Sequence, residues 1–266
     1  ADAYNVAVGY YAGISVSTGI ENTIIGGLAG DALTTGSKNI ALGYSALGAT
    51  TIGDQNVAIG YNALANNIDG SAAIAIGYQA LEDQEPSSES NTYNIAIGHF
   101  AGKQITTGLN NTIMGGLAGD ALTTGANNVA IGYDALSAED DHGTNVAIGR
   151  SALGSQNAGT NAYNVAMGYN AGYSVSTGTH NTLLGGHAGD NITTGAYNIA
   201  IGYHALGTED AHGRNVAIGY LALAAQDAGA DAFSVAVGYI AGNAITTGTY
   251  NVLVGGQAGK SITTGN

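Results

Sequence analysis

The stretch NTIIGGLAGDALTTG at residues 22–36 returns as NTIMGGLAGDALTTG at 111–125, NTLLGGHAGDNITTG at 181–195 and NVLVGGQAGKSITTG at 251–265. Self-similarity at a short fixed period constrains a chain more than any composition, because one unit cannot bury its own apolar side and must stack on its neighbours. Aligned on the leading asparagine, fifteen units begin at residues 5, 22, 39, 56, 73, 94, 111, 128, 145, 164, 181, 198, 215, 234 and 251, so residues 1–266 read as a single repeat domain. Most units are 17 residues long; the unit from Ala73 has 21, and those from Asn145 and Asn215 have 19. Each long unit ends in an aromatic residue, Tyr93, Tyr163 or Phe233, which marks a higher period of four units and 70 residues.

Counting the asparagine as position zero, a unit reads N-[VIT]-[AIL]-[VILM]-G-[YG]-x-A-[LG] and continues into a polar half. Glycine at position four and alanine at position seven occur in all fifteen units. Large aliphatic residues at positions one and three, such as Val57 and Ile59, alternate with Ala58, the period-two mark of a half-buried strand. That spacing, with glycine every few residues, excludes helix. Seventeen residues can hold two short strands and two turns, and pairing each strand with its equivalent in the next coil gives an all-β parallel β-solenoid. At a strand spacing of about 4.8 Å, fifteen coils would extend roughly 70 Å. Asn22, Asn39, Asn56, Asn94, Asn111, Asn128, Asn145, Asn164, Asn181, Asn198, Asn215 and Asn251 then fall in register at one turn, as a structural ladder bonded to local backbone or to each other.

The runs NVAIGYNAL (56–64) and NIAIGYHAL (198–206) resemble the N-x-A-x-G-x-x-A head repeats of trimeric autotransporter adhesins, and similar repeats occur in trimeric phage tail fibres. The similarity spans essentially the whole chain, with tyrosine after the glycine in nine units as a departure. The resemblance implies a left-handed parallel β-roll, three chains packed side by side, and a head that attaches to host surface molecules. It places the protein outside the cell, on a cell or virion surface. A thin core gives a physical motive for a trimer, with the invariant alanines allowing flat faces of neighbouring chains to approach.

Composition narrows the partners. Nineteen acidic against five basic residues give a net charge of −14, which disfavours nucleic acid, whose phosphates are held by Lys and Arg. No apolar run approaches the roughly 20 residues of a membrane span, so no membrane insertion is expected of this segment. No cofactor is expected. GGQAGKS (255–261) misses the phosphate-loop pattern, since Val254 stands where the first glycine is required, and sibling units carry Asp31, Asp120 and Asp190 in place of Lys260. The six histidines show no recurrent serine or cysteine partner, so the reading is non-enzymatic.

Two clusters could hold cations: Glu139, Asp140, Asp141 and His142, and one superperiod later Glu209, Asp210 and His212. Too far apart to share an ion, they would be separate shallow sites; the plainer reading is a solvated acidic turn, which extends to Glu82, Asp83, Glu85 and Glu89 around Pro86. The loops inserted at the long units, represented by Glu85, Pro86 and Ser87, by Gln156 and Asn157, and by Gln226 and Asp227, are the expected binding loops.

The leading functional expectation is an adhesive or structural rod, an adhesin head or tail-fibre segment presenting loops for multivalent attachment to a host-surface glycan or protein. The alternative is a filament or surface-layer protein assembling end to end. Ice binding by threonine pairs such as Thr34/Thr35 ranks third, because adjacent strand residues face opposite sides. In eleven units position two is alanine and position five is large, whereas Ile24, Ile113, Leu183 and Leu253 trade with Gly27, Gly116, Gly186 and Gly256, which suggests that positions two and five share one space.

Overall fold

A computed structural model describes residues 3–86, 90–209 and 211–265. It is an all-β parallel β-solenoid of about 14 turns, with no helix among the described residues. Each of the fifteen units contributes one three-residue strand at positions one to three. Two compact units divide the chain, residues 1–130 and 131–266. The first contains β1 (Val6–Val8) through β7 (Thr112–Met114), the second β9 (Val146–Ile148) through β15 (Val252–Val254), and β8 (Val129–Ile131) carries the division.

Within each unit the strands pair with their sequence neighbours, equivalent on equivalent: Val57 with Ile74, Ala58 with Ala75 and Ile59 with Ile76. The longer units do not shift this register, since Ile74 still pairs with Ile95 and Val146 with Val165. Extra residues are therefore spent in the polar half of the coil. The asparagines hold the phase. Asn39 donates its backbone N–H to Oδ1 of Asn22 at 2.9 Å, and Asn56 donates to Asn39 at the same distance. Side-chain amides of the ladder then donate across their own coil to the carbonyl at position fourteen, a glycine in the coils of Asn22 (to Gly36 at 2.9 Å), Asn39 (to Gly53 at 2.8 Å) and Asn56 (to Gly70 at 2.9 Å). The second unit repeats the pattern through Asn164, Asn181 and Asn198.

Glycine at position four has two independent causes. Its φ lies between 128 and 145°, a conformation that L side chains rarely adopt. A Cβ on Gly60 would also stand 2.3 Å from the carbonyl oxygen of Gly77 in the next coil.

The strands turn their small side inward. Ala41, Ala58, Ala75 and Ala147 are buried, whereas the large residues flanking them are part-exposed, as with Ile40 at 41% and Leu42 at 42% beside Ala41. The invariant alanines of position seven, such as Ala46, Ala63 and Ala152, are also buried in the chain's own core, which corrects their assignment to a face between chains. Where position two is alanine, a coil this narrow has room inside for alanine from two walls and one large side chain from a third; the coils of Ile24, Ile113 and Leu183 bury a second one.

That large side chain comes from position eight or position eleven. Seven coils carry leucine at eight (Leu47, Leu64, Leu81, Leu136, Leu153, Leu206, Leu223) and a polar residue at eleven; the other eight carry glycine at eight and an aliphatic residue at eleven, such as Leu33, Ile105 or Ile192. The exchange is steric. A Cβ on Gly102 would lie 2.9 Å from Cδ1 of Ile105 and 3.2 Å from Cδ2 of Leu81. Position eight also has positive φ, 47 to 54° at the leucines, where β-branched residues are disfavoured.

This grammar replaces the expected exchange between positions two and five. Ile24, Ile113 and Leu183 are buried, and they press on glycines of position eight: Cδ1 of Ile24 stands 2.9 Å from where a Cβ on Gly13 would be, and Cδ1 of Leu183 stands 2.6 Å from that of Gly172. The tyrosines of position five point outward instead, Tyr61 being 45% exposed.

The two coil types predict a coupled pair. Leu47→Gly alone leaves a cavity and costs about 2–5 kcal/mol, and Thr50→Ile alone overpacks the same space at about 1–3 kcal/mol. The double variant, which rewrites a leucine coil as a glycine coil, recovers more than about 1 kcal/mol relative to the sum in a denaturation double-mutant cycle. Strict additivity contradicts the shared space.

Candidate functional site

In the leucine coils the polar residue of position eleven sits in the core beside the asparagine ladder. Thr50, Asn67, Gln84, Glu139, Gln156, Glu209 and Gln226 are all fully buried. Glutamine suits the place because it has both an acceptor and a donor to offer. Oε1 of Gln84 accepts from Nδ2 of Asn94 at 2.8 Å while its Nε2 donates to Oγ1 of Thr92 at 3.2 Å. Gln156 accepts from Asn164 at 2.6 Å and donates to the carbonyl of Ser176 at 3.0 Å. Gln226 donates to the carbonyls of Thr246 and Gly248, but the next ladder position is Ser234, which has no amide, and Oε1 of Gln226 makes no hydrogen bond.

These placements revise the expected binding loops. Gln156, Gln226 and Pro86 are buried and present no side chain to a partner, the two glutamines because each long loop begins on a core position and Pro86 because it packs over Gly70 of the preceding coil. Glu85, Asn157 and Asp227 are exposed, although their backbones are docked, Asn157 N–H on the carbonyl of Ser176 at 2.7 Å and Asp227 N–H on that of Thr246 at 2.8 Å. Ser87, Glu89 and Asp210 lie outside the described residues.

The acidic turns are likewise not solvated at their first residue. Glu139 and Glu209 fill position eleven, where Oε2 of Glu139 accepts from Nδ2 of Asn145 at 3.3 Å and Oε2 of Glu209 accepts from Asn215 at 3.5 Å. Desolvation pushes the Glu139 carboxyl up to about 7, and the negative charges of Asp140 and Asp141 add to the rise; the backbone N–H of His142 and the amide of Asn145 oppose it. Two sets of ligand-type atoms converge within 4.8 Å, one from Glu139, Asp140 and His142, the other from Glu209, His212 and Asp227. The structure thus brings an expected loop residue, Asp227, into the second cluster, and places Nδ1 of His212 3.8 Å from Oε1 of Glu209. The carbonyl of His212 takes the glycine's part in the ladder, accepting from Asn198 at 3.3 Å. The sequence did signal the buried character of these glutamates, since each follows a leucine at position eight.

The outer surface carries stacked rings. Tyr44, Tyr61, Tyr78 and His99 succeed one another at centroid distances of 5.4, 5.2 and 5.2 Å, and Tyr203, Tyr220 and Tyr239 do so at 5.7 and 5.4 Å. Where the series is interrupted at Gly186, His187 packs edge-on against Tyr169 and Tyr203. A second row, one residue before the ladder position, runs Tyr163, His180, Tyr197, Arg214, Phe233 and Tyr250, with the Arg214 guanidinium over both Tyr197 and Phe233 and paired to Asp231. In a polar groove lined by Ser37, Asp54 and Ser71, the backbone N–H of Ser37 donates to Asp54 and that of Asp54 donates to Ser71.

Comparison with protein families, with curated proteins and with solved structures finds no match to this chain.

The raised Glu139 carboxyl fixes a pH dependence. The folded chain retains a proton that the unfolded chain releases near 4.5, so stability falls as pH rises from about 4.5 to about 7 and levels off above it, by at most about 3 kcal/mol. Glu139→Gln, which installs the residue found at Gln84 and Gln156, therefore gains on the parent as pH rises through this window in chelator-treated buffer. Unfolding free energies at pH 4.5, 6 and 7.5 check this; a constant difference between the two proteins contradicts it.

Proposed function

We propose that the protein is a non-enzymatic, extracellular fibre-type scaffold that associates side by side as a trimer of left-handed β-rolls and presents surface loops to a host-surface glycan or protein. The carrying observation is the inverted strand. Positions one and three put valine, isoleucine, leucine and methionine outward in coil after coil, half-exposed, while alanine faces in. With the neighbouring tyrosine rows this makes a repeated apolar stripe in each unit, and contiguous exposed apolar surface of this kind marks interaction sites. Lateral packing of three copies covers it with the same residues on every chain. The resemblance to trimeric adhesin and tail-fibre repeats supports the same arrangement, with the packing face on the strands rather than on the buried alanines.

Attachment then rests on many weak contacts made at once. Glu85, Asn157 and Asp227 mark the exposed parts of the long loops, held on docked backbone, and repetition raises the effective concentration of each contact. Light scattering coupled to size exclusion tests the assembly. The expected mass is three times the 26.3 kDa chain, independent of concentration. Ile59→Lys with Ile76→Lys, both outward, gives a monomer with an unchanged β spectrum. A wild-type monomer overturns the trimer, and growth with concentration replaces it with an end-to-end filament.

A further inference from the structure

Five of the seven buried polar positions hold a hydroxyl or amide side chain, and the two that hold a carboxyl share a longer pattern: Glu139-Asp140-Asp141-His142-Gly143 and Glu209-Asp210-Ala211-His212-Gly213. Glutamate is a poor choice for a site that glutamine satisfies at both ends. A carboxylate can only accept, and although the amide of Asn145 and the backbone N–H of His142 both favour this group, its Oε1 is buried with no hydrogen-bond donor. A buried acceptor of this kind is costly unless a positive group meets it. The oxygen belongs to the carboxylate that converges with Asp140 and His142.

The geometry points to a divalent transition-metal site of the zinc class at Glu139, Asp140 and His142, repeated at Glu209, His212 and Asp227. In each, two carboxylates and one imidazole bring their ligand atoms within 4.8 Å of one another. Metal–ligand bonds of about 2.0–2.2 Å require only small side-chain rotations from that starting point. An imidazole donor favours zinc, cobalt or nickel over calcium, which takes a larger all-oxygen shell. In the second site the ligands come from two successive coils, Glu209 and His212 from one and Asp227 from the next, so the ion would fasten an exposed loop to the coil before it. A net charge of −14 draws cations to the surface in any case, which is why the test rests on differences between variants.

The full chain is titrated with Zn2+ by calorimetry and with Co2+ by visible absorption, as wild type, Glu139→Gln, Glu209→Gln and the double variant. Glutamine is native to the same position at Gln84, Gln156 and Gln226, and thermal melts verify that the variants fold. Each single variant is expected to lose one equivalent of micromolar or tighter Zn2+ binding and the double variant two, with His142→Gln losing the same equivalent as Glu139→Gln. Millimolar Ca2+ leaves binding in place. Equal stoichiometry in the wild type and the double variant overturns the sites, as does displacement of Zn2+ by Ca2+.

Discussion

The buried amide of the ladder asparagine is the constraint from which the coil is built. Asn39 and Asn56 have no exposure to water, so the donors and acceptor of each side chain must be met by protein. One donor goes across the coil to a glycine carbonyl, and the acceptor goes to the backbone N–H of the next asparagine. Only stacking in phase satisfies both at once. With phase fixed, glycine is forced at position four by the carbonyl of the coil above, strands pair equivalent on equivalent, and surplus residues can emerge only where the ladder does not run.

A narrow coil also decides what the core can contain. With alanine on two walls, one large side chain fills the remainder, and placing it at position eight leaves position eleven free for a polar group that reaches the ladder. Gln84 and Gln156 use that freedom to add bonds to Asn94 and Asn164. Glu139 and Glu209 use the same location differently, combining a buried carboxylate with a nearby acid and histidine. The candidate metal chemistry is thus a variant of a packing rule, and among the described residues it occurs only in leucine coils.

Much of the fold was legible because the repeat is strict: coil boundaries, strand positions and the asparagine row follow from phase alone. The side of the strand that faces inward was not, since alternation such as Val57-Ala58-Ile59 reads the same whichever face is buried, and the inner width of the coil decides it. Gln156 and Gln226 were misplaced because extra length was read as surface, whereas the added residues follow a core position. The pairing of positions eight and eleven was written in the sequence without exception, but it acquires meaning only when Leu81, Gly102 and Ile105 are seen to compete for one volume. Left-handed residues as varied as Lys38, Gln55 and Tyr197 before the ladder asparagine offered no such signal, because no single residue type marks them.

The central claim is that each asparagine secures the next coil through its side-chain oxygen. Native-state hydrogen exchange on Asn39→Ala tests it most directly, because the substitution removes the acceptor of the Asn56 N–H while leaving the N–H of residue 39 bonded to Asn22. The account predicts that exchange at Asn56 accelerates about tenfold or more over that at Asn111, whose own acceptor Asn94 is untouched. Equal exchange at the two amides, whether both unchanged or both faster, would contradict it.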